Sequence, residues 1–126
     1  MQIYDQLLTI IRDKMIILDD LAMELEGLEW MAKPSGQGLL QRPWDVWLPS
    51  EKRRYLEIEK MSDKLDKKIY HAQLLAEEYL DGEQIGCLIN AVGDVSWYCH
   101  RTQYMPQSEA DNFLISSRRK NKKQPG

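Results

Sequence analysis

An uninterrupted heptad pattern between residues 55 and 79 constrains the fold of this chain more than any other feature of its sequence. Apolar, small and tyrosine side chains recur there with alternating spacings of 3 and 4 residues. Such spacing buries one stripe of an α-helix against a second helix along its length. Because parts of the stripe are small or polar, we expect the second helix to be an antiparallel segment of the same chain. The stripe consists of Tyr55, Ile58, Ser62, Leu65, Ile69, Ala72, Ala76 and Tyr79.

The first helix is predicted over residues 2–30. Its apolar side chains fall within about half of the helix circumference, and only Ile16 and Met23 lie clearly outside that arc. A stripe of this width indicates contact with two neighbouring elements. On the polar side of the helix we predict an acidic ridge that faces a partner. The ridge consists of Asp13, Asp20 and Glu24.

Two more helices complete the prediction, one over residues 83–104 and a short one that begins near Ser108. The core stripe of the third helix is predicted to continue through Val95 to Cys99. Residues 32–49 are rich in proline and glycine, so we expect an irregular loop, after which Ser50 caps the second helix. The predicted fold is therefore all-α: a long antiparallel helical hairpin, a third long helix and a short fourth one, in one bundle-like domain over residues 1–115.

Charge is distributed unevenly along the chain. The sequence holds 17 Lys and Arg against 20 Asp and Glu, and five of the basic residues lie in 118–123. The remaining body has 12 basic and 20 acidic residues, a net charge of −8. An acidic body disfavours broad contact with nucleic acid and favours a partner with a basic surface. We expect residues 116–126 to form a disordered basic tail, the one segment suited to nucleic acid.

The numbers and spacing of the cysteines and histidines indicate neither a disulfide scaffold nor a zinc site. Cys87 and Cys99 are the only cysteines, and His71 and His100 the only histidines, none of them in a metal-ligand spacing. No glycine-rich phosphate loop or serine nucleophile motif is present in the sequence. With no apolar run near the length of a membrane span and no signal-peptide pattern, we expect a cytoplasmic protein without a resident cofactor.

Tryptophan residues mark two candidate contact surfaces. In the third helix, a polar face that contains a tryptophan lies opposite the predicted core; this face consists of Asn90, Asp94, Trp97 and Arg101. In the loop, prolines bracket Trp44 and Trp47. Rigid aromatic side chains with neighbouring charges are typical of interface hot spots. In both places the alternative is that the indoles pack inside the fold, and the sequence leaves both alternatives open.

A short segment of the third helix resembles an enzyme family. Residues 93–98, Gly-Asp-Val-Ser-Trp-Tyr, are similar to the Gly-Asp-Val-Leu-Trp-Tyr segment of the MazG-type all-α nucleotide pyrophosphohydrolases. Residues 77–81, Glu-Glu-Tyr-Leu-Asp, resemble the Glu-Glu-x-x-Glu motif of that family, whereas Ala91 stands where the family has Glu. The resemblance implies a Mg²⁺-dependent nucleotide hydrolase or a nucleotide-binding protein. Its implied metal ligands are Glu77, Glu78, Asp81 and Asp94.

The prediction that best fits the whole sequence is a non-catalytic interaction module or inhibitor. It would bind another protein through its acidic and tryptophan-bearing surfaces. Compact acidic chains of this kind resemble, in style, accessory proteins of phages and mobile elements. Because the predicted hairpin is long for a domain of this size, we also expect self-association, most simply as a two-fold dimer.

Overall fold

A computed structural model describes residues 2–114 of the chain. Helix α1 (Ile3–Glu29) leads directly into strand β1 (Trp30–Ala32), which pairs with strand β2 (Leu39–Gln41). A 3₁₀ turn (Trp44–Val46) precedes the long helix α2 (Pro49–Tyr79). Helices α3 (Gly82–Val92) and α4 (Asp94–Thr102) follow, and residues 107–114 are again helical. The prediction of an all-α fold is confirmed. The structure adds one small two-stranded sheet, with three residues in each strand.

The chain divides into two compact units. As far as the structure describes them, one unit comprises residues 2–8 and 73–114, and the other comprises Thr9–Ala72. The 9–72 unit contains most of α1, the small sheet and the first part of α2. The unit formed by residues 2–8 and 73–114 contains the end of α2 and all later elements. Each unit has buried apolar side chains of its own.

Within the 9–72 unit, the two long helices form the antiparallel hairpin that the heptad spacing predicts. Arg54, near the start of α2, contacts Glu24, near the end of α1, as opposite chain directions require. Helix α2 is unbroken through its predicted stripe. The two apolar residues that the sequence places outside the arc of α1, Ile16 and Met23, are exposed in the structure. The buried core of this unit consists of Ile11, Leu21, Trp47, Ile58, Ile69 and Ala72.

The stripe of α2 changes at its end. Tyr79 was expected in the seam but is exposed, whereas the next residue, Leu80, is buried. Gln73, outside the predicted stripe, is completely buried, and its side-chain amide donates to the Trp97 carbonyl at 2.8 Å. The last turns of α2 thus serve a different core from the rest of the helix. That core consists of Leu7, Ala76, Leu80, Leu88, Trp97 and Ala110.

The prediction of one continuous helix over residues 83–104 is wrong. Gly93 adopts φ 105° and ψ 131°, outside helical geometry, and separates α3 from α4. The break changes which side chains face inward, so a stripe extrapolated from α3 fails in α4. Val95 is 78% exposed and Cys99 is exposed, although both were expected in the core. Helix α3 begins at a capping box, in which Asp81 accepts from the Gln84 backbone and Gln84 accepts from the Asp81 backbone.

The segment 32–49, predicted to be an irregular loop, contains regular secondary structure. It contains β2 and the 3₁₀ turn, and α2 begins at Pro49, so Ser50 lies inside the helix instead of capping it. Proline is favoured at the first helical position because it has no backbone N–H to leave unpaired. No helix among residues 2–114 is long and apolar enough to cross a membrane. The basic tail expected at residues 116–126 lies outside the described residues.

Candidate interaction surface

A short β-hairpin connects the end of α1 to the segment that precedes α2. Strands β1 and β2 pair antiparallel, with Met31 opposite Leu40. The connecting turn is closed by hydrogen bonds from the Lys33 amide to the Gly38 carbonyl, at 3.2 Å, and from the Gly36 amide to the Lys33 carbonyl, at 2.9 Å. Both turn glycines have positive φ, 77° and 86°, which side chains with a Cβ rarely adopt. The glycines therefore make this tight reversal possible.

Arg42 holds the hairpin to the two helices. Its guanidinium donates two hydrogen bonds to the Glu51 carboxylate, at 2.8 and 2.9 Å, and a third to the Leu28 carbonyl at 3.0 Å. Glu51 also accepts from the Leu48 backbone N–H at 2.9 Å, which satisfies a free donor at the start of α2. One arginine thus joins the end of α1 to the beginning of α2. A two-pronged contact of this kind fixes orientation as well as distance.

The environment of Glu51 makes the stability of this junction depend on pH. Hydrogen bonds from Arg42 and from the Leu48 N–H lower the pKa of Glu51 from its ordinary value of 4.5 to about 2. A carboxylate whose pKa is lower in the folded state stabilises that state above its unfolded pKa and loses this contribution as the pH falls. We therefore expect the free energy of unfolding to decrease between about pH 5 and pH 2, partly because of Glu51.

Urea denaturation at successive pH values tests this expectation. In Glu51→Gln the acid-dependent decrease should be smaller than in the unmodified chain, because residue 51 no longer titrates. The same substitution at the exposed Glu109 should leave the decrease as large as before. An unchanged pH dependence in Glu51→Gln would contradict the role given to the Arg42 pair.

Trp47 is the aromatic anchor of the segment and belongs to the core. It is 6% exposed, and its indole N–H donates to the Arg42 carbonyl at 3.3 Å. The Arg42 guanidinium carbon also lies 5.3 Å from the Trp47 ring centre. The structure thereby supports the internal-packing alternative for Trp47, because a buried indole is not available to a partner.

Trp44 is placed differently. Its ring packs on Trp47 at 5.0 Å and edge-on to Tyr55 at 5.3 Å, yet the side chain remains 43% exposed. The Lys52 ammonium lies 5.4 Å from its ring centre. One side of Trp44 is thus fixed by aromatic neighbours, and the remainder faces solvent. This arrangement presents a rigid aromatic surface.

Exposed apolar side chains are concentrated in the same segment. Between Trp30 and Leu48, seven large apolar residues are exposed while the backbone is held by the hairpin and by Arg42. Scattered exposed apolar side chains are ordinary, but a concentration in one short, ordered segment is typical of an interaction site. We call this set the hairpin surface; it consists of Trp30, Met31, Leu39, Leu40, Trp44, Val46 and Leu48.

The predicted acidic ridge of α1 is partly engaged within the protein. Asp13 and Asp20 are exposed. Glu24, however, receives two hydrogen bonds from the Arg54 guanidinium, one of them at 2.9 Å, and this contact lowers the pKa of Glu24. Arg54 also binds Glu57 at 3.2 Å. Glu24 therefore links α1 to α2, and a partner that binds Glu24 would have to compete with Arg54.

The polar face predicted for the third helix is not brought together as expected. Asn90 and Asp94 are exposed and lie on either side of the break at Gly93. Trp97 is 2% exposed, so it belongs to the core and not to a surface. The Arg101 guanidinium binds the Glu77 carboxylate at 2.8 and 3.1 Å and lies 5.0 Å from the Phe113 ring centre. Arg101 thus has an internal structural role.

Two of the four carboxylates implied by the MazG resemblance have contacts within the protein. Glu77 is held by Arg101, and Asp81 caps α3. In the part of the chain that the structure describes, no group of three or more His, Cys, Asp or Glu side chains is arranged to hold a metal ion. The Mg²⁺ site that would involve Glu77, Glu78, Asp81 and Asp94 remains a prediction from the sequence.

Comparison with known proteins adds no relative. No protein-family model, no curated protein and no solved structure matches this chain.

Proposed function

We propose that this chain is a non-catalytic interaction module that binds another protein through the hairpin surface. The observation that carries the proposal is the exposure of seven large apolar side chains on an ordered segment. Two of them, Trp30 and Trp44, are tryptophans, the residue type most enriched at binding hot spots. Either an accessory factor or an inhibitor would act in this way, by occupying a surface of its target.

Both the composition and the rigidity of the segment that carries the hairpin surface support a binding function. Arg42 joins both helices, and Trp47 is buried beneath Trp44 and beside Tyr55. A surface that is already ordered loses little conformational entropy when a partner covers it. Two turn glycines and the paired strands fix the outer part of the hairpin in the same way. More of the hydrophobic gain is therefore retained as affinity.

Charge indicates the chemistry of the partner. The last three turns of α1, which lead into the hairpin, contain acidic residues and no basic residue in the final turn. Negative charge at a helix C-terminus is unfavourable for the helix, because the backbone dipole is already negative there. A basic partner surface would relieve this repulsion. The carboxylates in the last turn are Glu26 and Glu29, and Asp19 and Asp20 add negative charge earlier in the helix.

The cysteines bear on location. Cys87 and Cys99 are both unpaired and exposed in the structure. Exposed free thiols persist best in a reducing compartment. We therefore place the interaction in the cytoplasm as part of the proposal.

Affinity capture followed by measurement with the purified partner tests this function. In Leu39→Lys/Val46→Lys, two exposed apolar side chains become cations that a basic surface repels, so we expect affinity to fall at least about tenfold. The matched control is Ile16→Lys/Met23→Lys, which makes the same change at exposed apolar positions of α1. A chain that ends at Ser117 tests the basic tail separately.

Specific outcomes distinguish the alternatives. Binding that survives in the control and in the shortened chain, and is lost in the hairpin variant, supports the proposal. Equal binding by the hairpin variant and the unmodified chain contradicts it. Salt-sensitive binding of nucleic acid that disappears with residues 118–123 would instead assign function to the tail.

A further inference from the structure

One side of the helical hairpin in the 9–72 unit can be identified from a single ion pair. Glu24 of α1 contacts Arg54 of α2, so these two heptad positions lie on the same side of the hairpin. Ile17 and Ile10 lie 7 and 14 residues before Glu24, and Met61 lies 7 residues after Arg54. Residues separated by one heptad occupy nearly the same angular position on a helix. These three apolar residues therefore follow the ion pair along the same side.

The two helices also match in height. In an antiparallel hairpin, moving backward along α1 and forward along α2 leads in the same direction. Ile17 is therefore level with Met61, and Ile10 is level with Lys68. We call this side of the hairpin the isoleucine flank, and its apolar members are Ile10, Ile17 and Met61.

The isoleucine flank is not covered within its unit. Ile10, Ile17 and Met61 are 39%, 43% and 40% exposed, whereas the buried Ile11 and Ile58 lie in the seam between the helices. Apolar side chains at two successive heptad levels favour contact with another helix. Covering them removes apolar surface from water, and this stabilises the covered state.

The charges that border the flank differ on its two edges. On α1, the residues three positions after Ile10 and Ile17 are Asp13 and Asp20, both exposed. On α2, Lys64 lies three positions after Met61, and Lys68 lies on the flank itself; both are exposed. A spacing of three residues places a side chain beside its neighbour on a helix surface. The flank therefore has an acidic edge on α1, while the edge on α2 carries Lys64 and also Glu57, which is already paired with Arg54 at 3.2 Å.

We infer that the isoleucine flank binds a second copy of this chain. A two-fold axis parallel to the helices would place α1 of one copy against α2 of the other, in opposite directions. Asp13 of each copy would then face Lys64 of its partner, and the isoleucine and methionine side chains would meet between them. A two-fold axis perpendicular to the helices would instead oppose acid to acid. The charge pattern thus selects one arrangement, an antiparallel four-helix assembly.

This inference is independent of the hairpin surface, because it uses different residues and a different occupant. Sedimentation of the full chain over a range of concentrations tests it directly. The expected result is a species of twice 14.8 kDa that dissociates on dilution. In Ile17→Lys, the four-helix contact would bury an additional cation from each copy. The dissociation constant of the dimer should therefore rise at least about tenfold. The control Met23→Lys alters an exposed residue of α1 that lies outside the flank, about 120° around the helix from Ile17, and should leave the dimer unchanged.

Charge exchange supplies a second test that does not depend on the apolar side chains. Asp13→Lys and Lys64→Asp should each weaken the dimer, because each brings like charges together across the two-fold axis. The double variant restores opposite charges in the exchanged order and should recover dimerisation. Helical circular dichroism of every variant shows that the fold is retained. A monomer at all concentrations, equal effects of Ile17→Lys and Met23→Lys, or failure of the double variant to recover would overturn the inference.

Discussion

Replacing Trp97 with alanine should reduce the free energy of unfolding by about 3–5 kcal/mol. The indole is buried in the unit formed by residues 2–8 and 73–114, where it is one of the largest fully buried side chains. Its removal takes away transfer free energy and leaves a cavity that neighbouring side chains fill only in part. The loss should therefore exceed that of any ordinary surface substitution.

Guanidinium denaturation followed by circular dichroism is the suitable measurement, since it does not depend on indole fluorescence. The matched control is Trp30→Ala, which removes an exposed tryptophan of β1 and should cost about 1 kcal/mol or less. Equal losses in the two variants would show that Trp97 is not the core residue described here.

The second large effect is expected at the break between α3 and α4. Gly93→Ala should cost about 1–3 kcal/mol, because φ 105° and ψ 131° are accessible essentially only to glycine. A Cβ at this position would meet no atom within 4 Å, so the cost is conformational and not steric crowding by a neighbour. The expected loss therefore measures the conformational cost of this backbone geometry for a residue that has a Cβ.

The same substitution at Gly86 provides the control. Gly86 lies within α3 and also has open space where a Cβ would stand. Alanine favours helix more than glycine does, so Gly86→Ala should stabilise the protein by about 0.5–1 kcal/mol. Opposite signs for the two substitutions are expected in chemical denaturation. A gain at Gly93 would indicate that the two helices are continuous.

The long helices were predictable because their signal is local and repeated. Each heptad of α2 independently indicates the same buried stripe, and the exposure of Ile16 and Met23 followed from angular position alone. The end of that stripe was not predictable in the same way. Gln73 and Leu80 are buried, and Gln73 bonds to Trp97 of α4, an element about which the spacing within α2 contains no information.

Trp97 shows how a single backbone angle can invalidate a periodic pattern. The sequence places it opposite the stripe of Ile85 and Val92 if the helix is continuous. The break at Gly93 resets the angular position, so Trp97 turns inward and Val95 turns outward. Glycine within a helical pattern is often tolerated, and the pattern alone does not reveal a positive φ.

The hairpin surface was predictable in composition but not in geometry. Prolines and tryptophans identified the segment, and its glycines indicated a turn. The contact that organises the segment joins Arg42 to Glu51, across the 3₁₀ turn, and to the carbonyl at the end of α1. No local spacing rule anticipates such a contact, and for this reason the separate environments of Trp44 and Trp47 emerged only from the structure.

The bend at Gly93 also makes the natural thiols useful as spectroscopic reporters. Cys87 lies in α3 and Cys99 in α4, both are exposed, and the sequence contains no other cysteine. Nitroxide labels can therefore be attached to the unmodified chain, one on each side of the bend. The distribution of distances between the two spin labels would report directly how sharply this joint is defined in solution.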